Sequence, residues 1–457
     1  VGSSGGLHIL DERGQILARY RSKDGLPGPI VWTIHRHQDG SLWLGTSGDG
    51  LLRFTTRRFR HFELVEGRKG LPVNSVSAGP AGDVWAATYG RGLFQLDAAG
   101  GIRAGPPLDT PYLQSVLADR GGRLWAGTLG QGLRRADPQG GEPAFAPLAP
   151  DGNPIALFED SLGRLWISSG NAVVWCRQGT NLLSFGPLGD DPADAIRAFA
   201  EDAAGGVWAA NQGGVFRRDG GAGFVEIKDA SGRPVRHVTC LLGDAAGALW
   251  LGTADRGLLR WHDGTLATLD ARAGFPVTTV QSLIADGRGF LWLTSGRHLV
   301  RARWSSLDLA ADGRGGGGEC QMFDVSDGLP SAEFTAGRQP AATRDARGRL
   351  WFATTKGVAM ADPANLRLND LPPPVHVEAI AYVRPDPERG GEIQVRRRGP
   401  FTGPETLPAG SGRLEIEYAG LSFVAPGRVQ FQVKLEGRDQ DWRDVGRRRS
   451  SYFHELP

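Results

Sequence analysis

Asp286-Gly287-Arg288-Gly289-Phe290-Leu291-Trp292-Leu293-Thr294 is a turn followed by a strand, and its recurrence decides the fold. An aspartate opening such a turn accepts bonds from nearby backbone amides, and glycine takes the positive φ the turn needs. Phe290 to Thr294 is then bulky and apolar, as a buried strand should be. The stretch before the turn, Val280-Gln281-Ser282-Leu283-Ile284, reads as the preceding inner strand. The unit centres on a tryptophan and returns at Trp43, Trp85, Trp125, Trp166, Trp208, Trp250, Trp292 and Trp351. The spacing is 40 to 42 residues, except for 59 at the last step, where the sequence carries a glycine-rich insert, Asp312 to Glu319. Eight of the 13 tryptophans fall in this frame, which chance does not explain.

Each unit supplies four strands. After the tryptophan strand come a short turn and a third strand, as in Gly257-Leu258-Leu259-Arg260-Trp261. A more variable outer strand follows, as in Phe59-Arg60-His61-Phe62-Glu63-Leu64. Four antiparallel strands every ~42 residues make the blade of a β-propeller. Helical repeats of that length would show a 3.6-residue apolar period and far less glycine than the 68 residues here. The tryptophans are expected between blades, in the core. Gly25-Leu26-Pro27, Gly70-Leu71-Pro72, Gly274-Phe275-Pro276 and Gly328-Leu329-Pro330 recur as connectors, where proline ends the outer ladder.

Composition excludes several classes. A net charge of +2 calls for no polyanionic partner, and the basic runs Arg396 to Arg398 and Arg447 to Arg449 carry no interleaved aromatics, so no nucleic acid is expected. Cys176, Cys240 and Cys320 are too far apart for a metal or redox motif. No run of ~20 apolar residues is present, so any membrane attachment is expected through a segment absent from this sequence. The chain reads as an excised fragment.

The units, Asp39-Gly40-Ser41-Leu42-Trp43-Leu44-Gly45-Thr46 among them, resemble the two-component regulator propeller repeat over about residues 2–368. Farther on, Leu371-Pro372-Pro373-Pro374 looks like a stiff linker. Leu414 to Phe423 and Val433 to Trp442 then resemble the three-tyrosine domain, with Tyr418 and Tyr452 on its pattern and Phe431 where a tyrosine is common. The resemblance implies an immunoglobulin-like β-sandwich. The expected fold is therefore all-β. A propeller of four-stranded blades occupies residues 1–370, and a sandwich that can be incomplete starts at 371–457. Seven blades closed by the strand at Phe59 to Leu64 would leave residues 1–57 to a preceding propeller. Eight blades would be closed by Ile16-Leu17-Ala18-Arg19-Tyr20.

In a propeller, the turns between second and third strands share a face with the inter-blade connectors. One polar position there varies from blade to blade: Asp49, Arg91, Gln131, Asn171, Gln212, Arg256, Arg297 and Lys356. These are the candidate ligand-binding residues. Their cationic members would favour an anionic or hydroxyl-rich ligand. The bland alternative is a ring of solvated turn tips.

The resemblance implies the extracytoplasmic, periplasmic sensor half of a bacterial inner-membrane signalling protein. Such a protein's output domain, a histidine kinase or a diguanylate cyclase, lies elsewhere in its chain. The partners it implies are a small-molecule or carbohydrate ligand and a second copy docked through the C-terminal region. A secreted or soluble interaction scaffold is the alternative, and a glycan-active propeller enzyme a further one. Against the enzyme, Asp119, Asp160, Asp202, Asp244, Asp286 and Asp345 recur at one repeat position, which marks turn residues rather than a catalytic pair. His35 and His37 could share a strand face, but no third metal ligand is evident. Gly315 to Gly318 lacks the ending of a phosphate loop. No cofactor and no catalytic residue are expected.

Overall fold

The structure is a computed structural model. It describes every residue except 29, 39, 56–57, 66–69, 98–100, 137–145, 149–151, 219–222, 315–318, 331–332, 367–371, 387–389, 402, 408–412, 423–428 and 455–457. The glycine run Gly315 to Gly318 and the start of the Leu371 linker therefore lie outside the described residues. The chain divides into two compact units, residues 57–366 and a second made of 1–56 with 367–457.

Residues 57–366 form seven four-stranded antiparallel sheets. The first six blades are continuous in sequence; blade five, for example, is Val238–Gly243, Leu249–Thr253, Leu258–His262 and Thr265–Leu269. The seventh takes three strands from the end of the unit and its outermost from the beginning: Phe59–Phe62 pairs with Gly357–Ala361. The inner strand of each blade neighbours the next, and Ala342–Arg344 of blade seven neighbours Val73–Ala78 of blade one, so the ring closes. This β-propeller has seven blades. Ile16–Tyr20 does not close it, because that strand pairs with Gly6–Leu10 in a separate three-stranded sheet. The physical difference is burial. Phe59 and Phe62 are 1% and 6% exposed, whereas Ile16 and Leu17 remain 43% and 67% exposed.

The tryptophans sit between blades. Trp250 packs with Leu283, Leu291, Leu293 and Val300 of the following blade. Trp351 packs on Phe62, and its cluster includes Val73, Val76 and Val84 of blade one. Six of them are also anchored by a repeated bond. The indole Nε1 of Trp125, Trp166, Trp208, Trp250, Trp292 and Trp351 donates to the carboxylate six residues earlier, at 2.7–3.1 Å. The other oxygen of that aspartate accepts backbone amides of its own turn, as Asp345 does from Arg347 and Arg349. These are the recurring aspartates, consumed by structure. In blade one the position is Gly79. There Asp83, at the far end of the turn, turns back over Gly79 and takes Gln95 as its donor at 2.8 Å.

The insertion in blade six begins earlier than the sequence suggests, at Trp304 rather than Asp312, and it contains a helix, Trp304–Ala311. Leu307 is fully buried, Trp304 meets Trp250 edge to face at 5.3 Å, and Arg260 pairs with Asp308 and Asp312. Residues 304, 307 and 311 form an apolar helical stripe that the surrounding strand pattern conceals.

The connector between blades six and seven enters the axis. Thr335 Oγ1 donates to Val73 O, and Pro340 O accepts from Val76 N and Ser75 Oγ. Gln339 bonds the backbone of Ile155 and Leu157, and its side-chain amide both donates to and accepts from Phe199. This segment thus stitches blades one, three and four together from within.

In the second unit, Gly2–Ser3, Gly6–Leu10 and Ile16–Tyr20 form one sheet, and Val31–Arg36, Leu42–Thr46 and Leu51–Phe54 another. Its C-terminal part has a four-stranded sheet, ordered Glu392–Arg398, Val375–Pro385, Arg413–Gly420, Ser450–His454, and a pair, Phe431–Val433 with Arg443–Gly446. Tyr418 of the first packs on Phe431 of the second at 4.9 Å, and its hydroxyl meets Ser451 Oγ at 2.8 Å.

Burial alone would raise the Asp345 carboxyl, but donation from Trp351 and Arg349 outweighs it and holds the group below the usual carboxylate range. A depressed folded value stabilises the fold above the unfolded pKa, and that contribution is lost as pH falls through the folded value. Asp345→Asn is therefore expected to be destabilised by about 1–3 kcal/mol in urea at neutral pH. The gap from the parent should narrow as pH falls below about 4. Phe59→Ala, at the ring closure, is expected to cost about 3–5 kcal/mol in the same measurement.

Candidate functional site

Within each antiparallel blade, the turn between second and third strands lies at the same end as the connectors. The backbone welds the two together all round the ring. Gly90 and Gly92 donate to Pro111 O, Gly132 to Gly152 O, and Ala172 to Pro192 O. His237 donates to Gln212 O, Gly257 to Thr278 O, Phe334 to Gly296 O, and Thr355 to Glu333 O. All seven blades take part, so this face is a continuous platform rather than a set of separate loops.

The sequence-identified positions distribute one to a blade. Arg91, Gln131, Asn171, Gln212, Arg256, Arg297 and Lys356 stand on the turns of blades one to seven in order. All are exposed except Arg256, which is half-buried. Asp49 occupies the same kind of turn in the other unit. Several are partly committed to their surroundings. Asn171 Oδ1 accepts from Ser169 Oγ and Val173 N within its own turn. Gln131 O accepts from Arg134, and Arg297 pairs with Glu333 at 3.7 Å, both exposed. Lys356 lends its carbonyl to His61 Nε2. Among the described residues the Arg256 guanidinium reaches only Arg236 O, at 3.4 Å.

Two features of the face escape the repeat frame. Tyr89, on the blade-one turn, and Tyr112, on the next connector, meet edge to face at 5.2 Å and are 48% and 44% exposed. An exposed aromatic pair beside Arg91 is a ready surface for a planar or ring-shaped ligand. His237, on the connector into blade five, has φ +60 and holds Asp255 at 2.6 Å. Positive φ at a non-glycine residue carries strain that the bonds to Gln212 and Ala254 sustain. No periodicity could have pointed to either, since each joins a connector to a turn about twenty residues away.

Little else in the chain suggests chemistry. No group of three metal-ligating side chains exists among the described residues, and His35 lies exposed on Val31–Arg36. Burial pushes the Cys240 thiol up to about 12 and the Cys320 thiol to about 11, so neither is a poised nucleophile. A cavity of 540 Å³ lies at the opposite end of blade one, lined by Gly79, Pro80, Asp83, Trp85, Pro106 and Pro107 among others. Among the described residues no helix is long and apolar enough to cross a membrane.

The fold and this face define a seven-bladed propeller with a built platform at the connector end. Residues 25–48 match the family model of the two component regulator propeller. No curated protein matches by sequence. Among solved structures, the extracellular domain assigned to the hybrid two component system BT3049 from B. thetaiotaomicron superposes with a TM-score of 0.74 at 18% identity. That match covers 99% of this chain and 61% of the other, so the chain spans about three fifths of that structure's length. A streptogramin B lyase matches with a TM-score of 0.53 at 15% identity, over 67% of this chain and 99% of its own. The corresponding domain of BT4673, from the same organism, gives 0.50 at 17% identity, over 98% of this chain and 65% of its own.

Arg91→Ala and Arg256→Ala should each change stability by less than about 0.5 kcal/mol in urea unfolding, because neither guanidinium supports the blades. A larger loss would place these side chains in the framework.

Proposed function

We propose that this chain is the extracytoplasmic, periplasmic ligand-sensing region of a bacterial membrane signalling protein. In this reading it binds a small molecule or glycan on the connector face of its propeller. The observation that carries the reading is the platform itself. Seven equivalent turns are locked to seven connectors yet carry polar tips of four kinds, arginine, glutamine, asparagine and lysine, with an exposed tyrosine pair among them. A scaffold repeated for stability alone has no need of that variety. The family match at residues 25–48 and the likeness to extracellular domains of two-component systems point the same way.

The remaining parts fit this organisation. Residues 1–57 are read as the last blades of a preceding propeller. Their inner strand Val31–Arg36 leaves Trp32 71% exposed, whereas Val76 and Val116 on inner strands of the ring are fully buried. Residues 371–457 are read as the start of the three-tyrosine sandwich, its two sheets meeting at Tyr418 and Phe431. Trp442 and Leu421, 63% and 51% exposed, are apolar surface available to a second copy. The output domain, kinase or cyclase, belongs to the rest of the parent protein, and this region has no catalysis of its own.

The lyase similarity and the strained His237–Asp255 pair favour a second reading, an activity on the same face. One screen separates the two. Thermal shift of the 457-residue chain against sugars and small metabolites should yield hits that raise Tm by mass action. Arg256→Ala or Tyr112→Ala should abolish those shifts, and the bound compound should be recovered unchanged. Hits indifferent to every face variant contradict the reading, and conversion of the compound transfers support to the enzyme.

A further inference from the structure

The axial connector that ties the blades together also brings two guanidiniums to one residue, Gly337. Arg338 lies on the connector and Arg197 at the start of the blade-four inner strand. Gly337 makes room for the contact, since a Cβ there would stand 3.1 Å from Arg197 Nη1. Arg338 is held in place, with Nε donating to Gln114 Oε1 at 2.8 Å and Nη1 to Gly337 O at 2.9 Å. Arg197 Nε is buried and, among the described residues, has no acceptor. Among the described residues neither arginine pairs with a carboxylate, as Arg164 does with Asp160 and Arg349 with Asp345. The nearest acid in sequence, Asp194, is already engaged by the amides of Gln212 and Gly213.

Two adjacent, half-buried cations repel one another and have each lost part of their hydration. A guanidinium presents its donors as a planar fork that matches a carboxylate or phosphate edge. We infer that Arg197 and Arg338 form an oxyanion site beside the axial connector, the anchor for a ligand bearing a carboxylate or phosphate group. This rests on the sensing reading above and supplies the ligand's chemical class. Gln114, which orients Arg338, is two residues from Tyr112, so the same strand start presents both an anchor for the anion and an aromatic wall. In keeping with an unneutralised pair, burial and then the Arg197 charge pull the Arg338 guanidinium below its ordinary value.

The test is calorimetric titration of the 457-residue chain with citrate and with inorganic phosphate, using glycerol as neutral control at constant ionic strength. Saturable binding of at least one anion and none of glycerol is expected, and the preferred anion tells carboxylate from phosphate. Arg197→Ala should weaken it about tenfold or more without lowering Tm, since this side chain makes no bond that the fold would lose. Arg338→Gln should weaken it as much, with some loss of Tm because its bonds to Gln114 and Gly337 are removed. Absence of saturable anion binding overturns the assignment, as does binding unchanged in Arg197→Ala. Should anion binding survive both axial variants yet fall in Arg256→Ala, the connector face keeps its role and only the axial anchor fails. Should no ligand of any charge respond to any variant of the face, the sensing reading fails with it.

Discussion

One hydrogen bond organises this propeller: the tryptophan indole donating to the aspartate six residues before it. The carboxylate has two oxygens and therefore two tasks. One closes the turn between first and second strands by taking backbone amides, and the other fixes the orientation of the indole that fills the space between blades. Turn geometry and core packing are thereby coupled in a single residue. Removing the carboxylate would orphan donors on both sides at once, which is the expensive way to lose a hydrogen bond. Blade one is built differently. Glycine stands at the aspartate position, and Asp83, four residues later, takes the cross-strand donor Gln95, as Asp202 takes Arg217 beside its indole.

Because the blades are held at one end by these turns and in the middle by tryptophan, the other end is left to specialise. The connectors there satisfy the second-to-third turns through the backbone, which relieves side chains such as Arg91 and Arg256, though not Asn171, of structural duty at the turn tips. The same logic explains why the six recurring aspartates are poor candidates for catalysis: their oxygens are spent. What is unspent lies on the connector face, in Arg91, Arg197, the tyrosine pair and the His237–Asp255 pair.

Much of this was legible in sequence because a repeat announces itself. Spacing, turn chemistry and the apolar strands gave blades, and the frame placed one variable polar residue on every turn. Ring closure was legible only as a choice, since Phe59 to Leu64 and Ile16 to Tyr20 are both plausible outer strands; the pairing of Phe59–Phe62 with blade seven and the burial of both phenylalanines decide between them. The helix at Trp304 was hidden inside a strand-rich pattern, and its four-residue apolar spacing shows only once the insertion is separated from the blade. Arg338, Gln339 and His237 were beyond reach. Arg338 and Gln339 acquire meaning from partners in other blades, and His237 from Asp255 across the turn of its own blade, at sequence distances that no local pattern encodes.

The sensing account turns on what this region is attached to, and the coding sequence following Pro457 tests it most directly. The account predicts completion of the sandwich, then an apolar stretch of about 20 residues able to span a membrane, then a kinase or cyclase domain. A stop codon soon after the sandwich, with no membrane segment, would contradict it and make a secreted binding or scaffold protein the better description.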